Sequence, residues 1–209
     1  RAMGRGKASR KARGVRAERP RRFGRYLQTR KATLELLEPR WLLNGDIASL
    51  FPGYRPNSVG QEPVSVALGD LNGDGRVDII TANSRTNDIS VLLGNGDATF
   101  QAERRFPVGV GVCALAVGNI NGDGYLDVVT TDAEGNQISV LLGKGDGSFQ
   151  LAVSVGLEGS PRSVALADLN GDGNLDVVTA NASTRDVSVL LGNGDGTFQA
   201  QRRFAVGGW

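Results

Sequence analysis

The sequence predicts an all-β fold: tandem four-stranded antiparallel blades forming a partial β-propeller, preceded by a disordered basic N-terminal segment. Three observations carry this. The segment DLNGDGRVD at 70–78 returns as NINGDGYLD at 119–127 and as DLNGDGNLD at 168–176, a period of 49 residues kept without an insertion. ISVLLGNGDATFQ at 89–101 returns with the same spacing at 138–150 and 187–199. Between these anchors the apolar residues alternate or run in short β-branched stretches, as strands do and helices do not. A fixed period of this length is one supersecondary unit stacked on its neighbours.

Each period yields four strands. Val64–Gly69, Cys113–Gly118 and Arg162–Ala167 come first, with bulky Val66, Leu115 and Val164 alternating with small Ala67, Ala116 and Ala165. Val77–Thr81, Leu126–Thr130 and Leu175–Thr179 follow, apolar on both faces, as a strand between two layers would be. The third is the ISVLL or VSVLL run. The fourth is expected to start at Phe100, Phe149 and Phe198, after a Gly-rich hairpin turn. Four strands in such a period is the arithmetic of a propeller blade, and rings close with about four to eight. Three blades therefore call for more blades beyond Trp209, or for two chains that together supply six.

Charge divides the chain. Residues 1–40 carry 14 Lys/Arg against 3 Asp/Glu, and residues 41–209 carry 10 against 19. The domains expected are a basic segment at 1–45 and a repeat domain at 46–209, holding three repeats and the start of a fourth. Arg202–Gly207 matches Arg104–Gly109, and the chain opens on Arg1, so the sequence reads as a fragment. The basic segment is a solvated, export-related or nucleic-acid-binding stretch. No folded reading element accompanies it, so nucleic acid is not the expected partner. No stretch reaches the ~20 apolar residues of a membrane span. The chain has no histidine and one cysteine, which excludes histidine-based hydrolytic triads, zinc or haem ligation by histidine, and an intramolecular disulfide framework. Cys113 reads as a packing residue.

The recurring nonapeptide places oxygen donors at positions 1, 3, 5 and 9. These are Asp70, Asn72, Asp74 and Asp78, then Asn119, Asn121, Asp123 and Asp127, then Asp168, Asn170, Asp172 and Asp176. The backbone carbonyls of Arg76, Tyr125 and Asn174 at position 7 can complete each set. That is the first part of an EF-hand loop, and calcium takes about six to eight oxygens in a flexible shell. Position 12 holds Thr81, Thr130 or Thr179 in place of a bidentate Glu, and a strand follows, so the loop should close a β-hairpin. Asn119 removes one charge from the middle loop, which should weaken calcium there. Asx-turns without metal are the competing reading. Asp97, Asp146 and Asp195 belong to turn chemistry, and Arg104–Arg105 and Arg202–Arg203 to surface charge.

These residues resemble FG-GAP/VCBS-type repeats, the family that includes the calcium-binding blades of integrin α-chain propellers. The resemblance covers roughly Pro56 to Arg203. It implies a β-propeller with Ca2+ in each hairpin loop, bound by the residues just named. Leu37-Glu38-Pro39-Arg40-Trp41-Leu42-Leu43 is similar to the LEPR-x-LL motif near the N-termini of large exported bacterial repeat proteins. That implies a secreted or cell-surface location. The function expected is a non-catalytic calcium-binding module of a larger surface or secreted bacterial protein, with an extracellular protein or polysaccharide ligand in adhesion. The alternative is the non-catalytic propeller part of an extracellular polysaccharide-degrading or other hydrolytic enzyme.

Overall fold

The computed structural model describes residues 57–207. The basic segment with its Leu37–Leu43 motif, and the predicted repeat domain's first residues, lie outside the described residues. Within them the chain forms twelve strands and no helix. The first sheet holds β1 (Pro63–Gly69), β2 (Asp78–Asn83), β3 (Asp88–Leu92) and β4 (Arg104–Pro107). The second holds β5 (Val112–Gly118), β6 (Asp127–Asp132), β7 (Gln137–Leu141) and β8 (Val153–Gly156). The third holds β9 (Pro161–Ala167), β10 (Asp176–Asn181), β11 (Asp186–Leu190) and β12 (Arg202–Ala205). In every sheet the strands lie in chain order, each antiparallel to the last.

Period-two side-chain placement builds the interior between sheets. In β6, Val128 enters one core and its neighbour Val129 the other; Leu141 and Val140 of β7 divide the same way. The first core joins Ile80, Ile89 and Val91 of sheet one to Leu115, Val128 and Phe149 of sheet two. Phe106 meets Phe149 edge to face, ring centroids 5.2 Å apart. The second core joins Val129, Ile138 and Val140 to Val164, Leu166, Val177 and Leu190 of sheet three. Each sheet therefore has a leading face toward the preceding sheet and a trailing face toward the next.

The fourth strand differs from expectation. Phe100, Phe149 and Phe198 make only isolated bridges to Gly94, Gly143 and Gly192, closing a turn. The chain leaves the sheet after that bridge and re-enters at β4, β8 and β12. Arg202–Ala205, expected to open a fourth repeat, is instead hydrogen-bonded to β11 as the outermost strand of sheet three. The repeat anchors alone do not say where one sheet ends and the next begins.

The turn before each Phe has a left-handed residue. Gly147 has φ +73°, and a Cβ there would fall 2.6 Å from Leu93 Cδ2. In sheet one the same position is Ala98, at φ +65°. A left-handed alanine costs about 1 kcal/mol relative to glycine. Ala98→Gly is therefore expected to raise the melting temperature, and Gly147→Ala to lower it by more, since it adds a clash; thermal melts of the two variants check this.

Candidate cation-binding loops

Each nonapeptide closes the hairpin between the first two strands of its sheet, with Gly69 paired to Asp78 and Gly118 to Asp127. In the first loop Asp70 gathers the backbone: its Oδ1 accepts from Gly73 N at 2.8 Å and Asp74 N at 3.1 Å, and its Oδ2 from Gly75 N at 2.8 Å. Those N–H groups, Gly75 foremost, hold Asp70 below the usual carboxylate value, although burial opposes them. Asn72 Oδ1 accepts from Asp74 N at 3.1 Å while its amide donates to Asp74 Oδ2 at 3.0 Å. Asp74 Oδ1 in turn accepts from Arg76 N at 2.9 Å. The left-handed Gly73 and Gly75 make the coil, with open space where a Cβ would stand.

The third loop repeats this. Asp168 accepts from Gly171 N at 2.7 Å and Gly173 N at 2.9 Å, and is lowered by them, Gly173 first. Asn170 pairs with Asp172, whose Oδ1 accepts from Asn174 N at 2.8 Å. The middle loop keeps the Asn121–Asp123 pair and the Tyr125 N donor. Its first position is different: Asn119 Oδ1 is buried with no hydrogen-bond partner. A buried acceptor left alone costs about 1–3 kcal/mol.

The ninth residue stands apart from the other donors. Asp78 is fully buried; its Oδ2 accepts from Leu71 N at 2.8 Å and its Oδ1 from Gly94 N at 2.7 Å. Asp127 does the same with Ile120 and Gly143, both at 2.7 Å, and Asp176 with Leu169 at 2.9 Å and Gly192 at 2.8 Å. The carboxylate thus ties the start of the acidic loop to the end of the third strand. Burial pushes Asp127 above the usual carboxylate value, against the pull of those N–H groups and with a further push from Asp123. Among the described residues no three acidic, histidine or cysteine side chains converge into a ready metal cluster.

At position 7 the backbone N–H of Arg76 is turned to Asp74, and its guanidinium stands 3.8 Å from Asp74 Oδ2. Position 12 is away from the loop: Thr81 donates to Asn83 Oδ1 at 3.1 Å and Thr179 to Asn181 Oδ1 at 3.0 Å. Asp97, Asp146 and Asp195 are turn residues, as expected. Asp97 Oδ1 accepts from Thr99 N at 3.0 Å and Thr99 Oγ1 at 2.6 Å, and Asp195 treats Thr197 alike. Cys113 packs with its Sγ 3.3 Å from the Pro161 carbonyl.

A polar network, buried at its asparagine and aspartate and exposed at its arginine, crosses the last three strands of sheets one and three, a feature the sequence reading does not include. Asn181 Nδ2 donates to Asp186 Oδ1 at 2.8 Å, and Asp186 pairs with Arg203, whose Nε lies 2.8 Å away. In sheet one Asn83, Asp88 and Arg105 make the same chain. Arg105 and Arg203 are exposed, as expected of surface charge, and each also pairs inward with its aspartate. Sheet two changes all three positions together, to Asp132, Gln137 and Ser154. The pH responses oppose each other. Asp186 is held below the usual value of 3.8 by Asn181 first, then Thr184, with Arg203 adding. Its contribution is present above 3.8 and is lost as pH falls through the lowered folded value. Asp132 is pushed above 3.8 because burial outweighs Ser139, Thr130 and Gln137, so its charge costs stability at neutral pH. That cost fades as pH falls through the raised value toward 3.8. Asp132→Asn is expected to raise the melting temperature at neutral pH, the difference from the parent shrinking on acidification; melts across a pH series check it. Asn83 shows that the amide fits there, donating to Ser90 Oγ at 2.8 Å.

Stacked four-stranded sheets, each with an oxygen-lined hairpin loop, define a propeller-type repeat module. The chain belongs to the FG-GAP-like repeat family, whose model matches residues 70–130, 119–179 and 168–209. No curated protein matches the sequence significantly. Among solved structures it is similar to a Photorhabdus luminescens Tc holotoxin pore (19% identity, TM-score 0.45, covering 68% of this chain and 7% of that one). It is similar to a Lactobacillus plantarum protein (15%, TM-score 0.49, 73% and 44%). It is also similar to the Vibrio cholerae biofilm matrix protein Bap1 (22%, TM-score 0.37, 69% and 31%). The chain spans less than half the length of each of these three. Among the described residues no helix is long and apolar enough to cross a membrane.

Proposed function

We propose that the chain is a calcium-binding repeat module that works outside the cytoplasm in adhesion or ligand binding, without catalysis. FG-GAP-like repeats are typical of extracellular proteins, which supports the location. The observation that carries the calcium reading is the donor set of the loops. Every side chain at positions 1, 3 and 5 carries an oxygen ligand, on a coil held open by left-handed glycines, and at Asn119 a buried oxygen is without a partner. An oxygen-only set fits a hard cation, and calcium's flexible shell suits it better than magnesium's strict octahedron.

Asp70, Asn72, Asp74 and the Arg76 carbonyl would hold the ion in the first loop. Asn119, Asn121, Asp123 and the Tyr125 carbonyl would do so in the second, and Asp168, Asn170, Asp172 and the Asn174 carbonyl in the third. Asp78, Asp127 and Asp176 carry one N–H on each oxygen, and each oxygen keeps a second lone pair to offer. Bound calcium would supply positive charge that neutralises the crowded carboxylates and fixes the hairpin tips; the blades' other loops would then meet the partner.

The three loops should differ. The third has three carboxylates and, among the described residues, no cation paired with them. The first has Arg76 at Asp74, and the second has Asn119. Affinity is expected to fall in the order third, first, second, since ligand charge sets it. Titration calorimetry of calcium into the chain should show this, with Asp172→Ala removing the tightest phase and magnesium giving much weaker heats. A folded chain that gives no heat with millimolar calcium would reduce the loops to Asx-turns.

A further inference from the structure

Among the described residues nothing packs on the leading face of sheet one or the trailing face of sheet three, and their side chains repeat the two faces that meet between the sheets. On sheet one Val66, Leu68 and Val77 are 63%, 61% and 60% exposed; their counterparts on sheet two, Leu115, Val117 and Leu126, pack in the first core. On sheet three Leu169 and Phe204 are each 53% exposed, where Leu71 is buried and Phe106 is packed in that same core.

Sheet three also keeps the residues with which sheet one makes its polar and aromatic contacts to sheet two. Arg104 donates to the Asp146 carbonyl at 2.9 Å, Ser65 Oγ accepts from Leu115 N at 3.3 Å, and Phe106 meets Phe149. At those three positions sheet two has Val153, Ala114 and Val155, but sheet three has Arg202, Ser163 and Phe204 again. The receiving groups stand on sheet one: the Asp97 carbonyl, Val66 N and Phe100.

Size is matched as well. Gly69 and Gly118 lie so close to Leu126 and Leu175 that a Cβ would fall 2.5 and 2.7 Å from a Leu methyl. The corresponding pair across the open faces is Ala167 and Val77, where one side has gained a methyl and the other has shortened. At Ala98, where sheets two and three have glycine, the tip of Leu191 would have to rotate.

We propose that the trailing face of sheet three docks on the leading face of sheet one of a second copy of this chain, head to tail, so that two copies close a six-sheet ring. Heterologous joints of this kind either close or grow without end, and six blades lie within the closed range of about four to eight. Buried apolar area at both joints would drive the association.

Sedimentation equilibrium of the 209-residue chain, over a wide concentration range with calcium present, tests this. The expected mass is twice the 22.0 kDa of one chain. Leu68→Arg and Phe204→Arg lie at positions more than half exposed in the single chain, so each variant should stay folded and be monomeric. Their equimolar mixture should recover a pair through the one intact joint. A parent chain that is monomeric throughout would overturn the proposal, including a monomer in which Leu68→Arg lowers the melting point because residues 1–56 cover that face. So would unlimited growth with concentration, or a dimer broken by one of the two substitutions and not by the other.

Discussion

Asp127→Ala is expected to destabilise the chain by about 2–6 kcal/mol, because it leaves the buried N–H groups of Ile120 and Gly143 without acceptors at about 1–3 kcal/mol each. Two effects compete at this residue. Burial penalises its charge, and the two N–H groups favour it. Burial wins for the proton, since Asp127 is pushed above the usual carboxylate value. It does not win for the fold, since a neutral carboxyl still offers two oxygens to the same donors. Asp127→Asn separates the two effects: it removes the charge but turns an NH2 toward one of the N–H groups. It should therefore remain destabilising, by roughly one lost buried hydrogen bond of about 1–3 kcal/mol. Denaturant melts of both variants measure this. Against a total stability of about 5–15 kcal/mol, the alanine variant risks unfolding.

Ile80→Ala should cost a comparable 2–5 kcal/mol, because Ile80 is wholly buried between sheets one and two. Leu68→Ala, in the same sheet but on its open face, should change the single chain's stability by less than about 0.5 kcal/mol. The pair of values tests directly which face of sheet one is buried in the stack, since neighbouring strands bear the two residues on opposite faces. Denaturant melts at low protein concentration isolate the single chain from any association. Equal losses at both positions would mean that the leading face of sheet one is covered within the chain itself.

Most of this architecture was legible in the residues. The first three strands of each sheet lie within about two residues of their expected ends, because alternation and β-branched runs are local signals. The acidic loop closes a hairpin as expected, since a strand former and no helix follows Asp78. The fourth strand is hard to place from sequence because RRFP, VSVG and RRFA are outer strands of only four residues, too short for a period to stand out, whereas Phe100, Phe149 and Phe198 are apolar and sit after a turn. The inward role of Asp78, Asp127 and Asp176 was hidden for a different reason. A sequence shows that a carboxylate is present at the ninth position, not which donors it faces, and both N–H partners are fixed only when β3, β7 and β11 come alongside. The Asn–Asp–Arg chain is marked in the sequence by residues that change together from repeat to repeat. Asn83, Asp88 and Arg105 change together to Asp132, Gln137 and Ser154, then return together as Asn181, Asp186 and Arg203.

Calcium held by the acidic loops is the claim on which the functional reading rests, and a thermal melt of the whole chain tests it most directly. Each loop kept at ten times its dissociation constant adds about 1.4 kcal/mol. Two occupied loops then amount to roughly 6–11 °C at about 2–4 °C per kcal/mol. The account predicts a rise of that order in millimolar calcium over EDTA, much smaller with magnesium, and cut back in the Asp74→Ala, Asp172→Ala double variant. A cooperative melt that calcium does not move would contradict it.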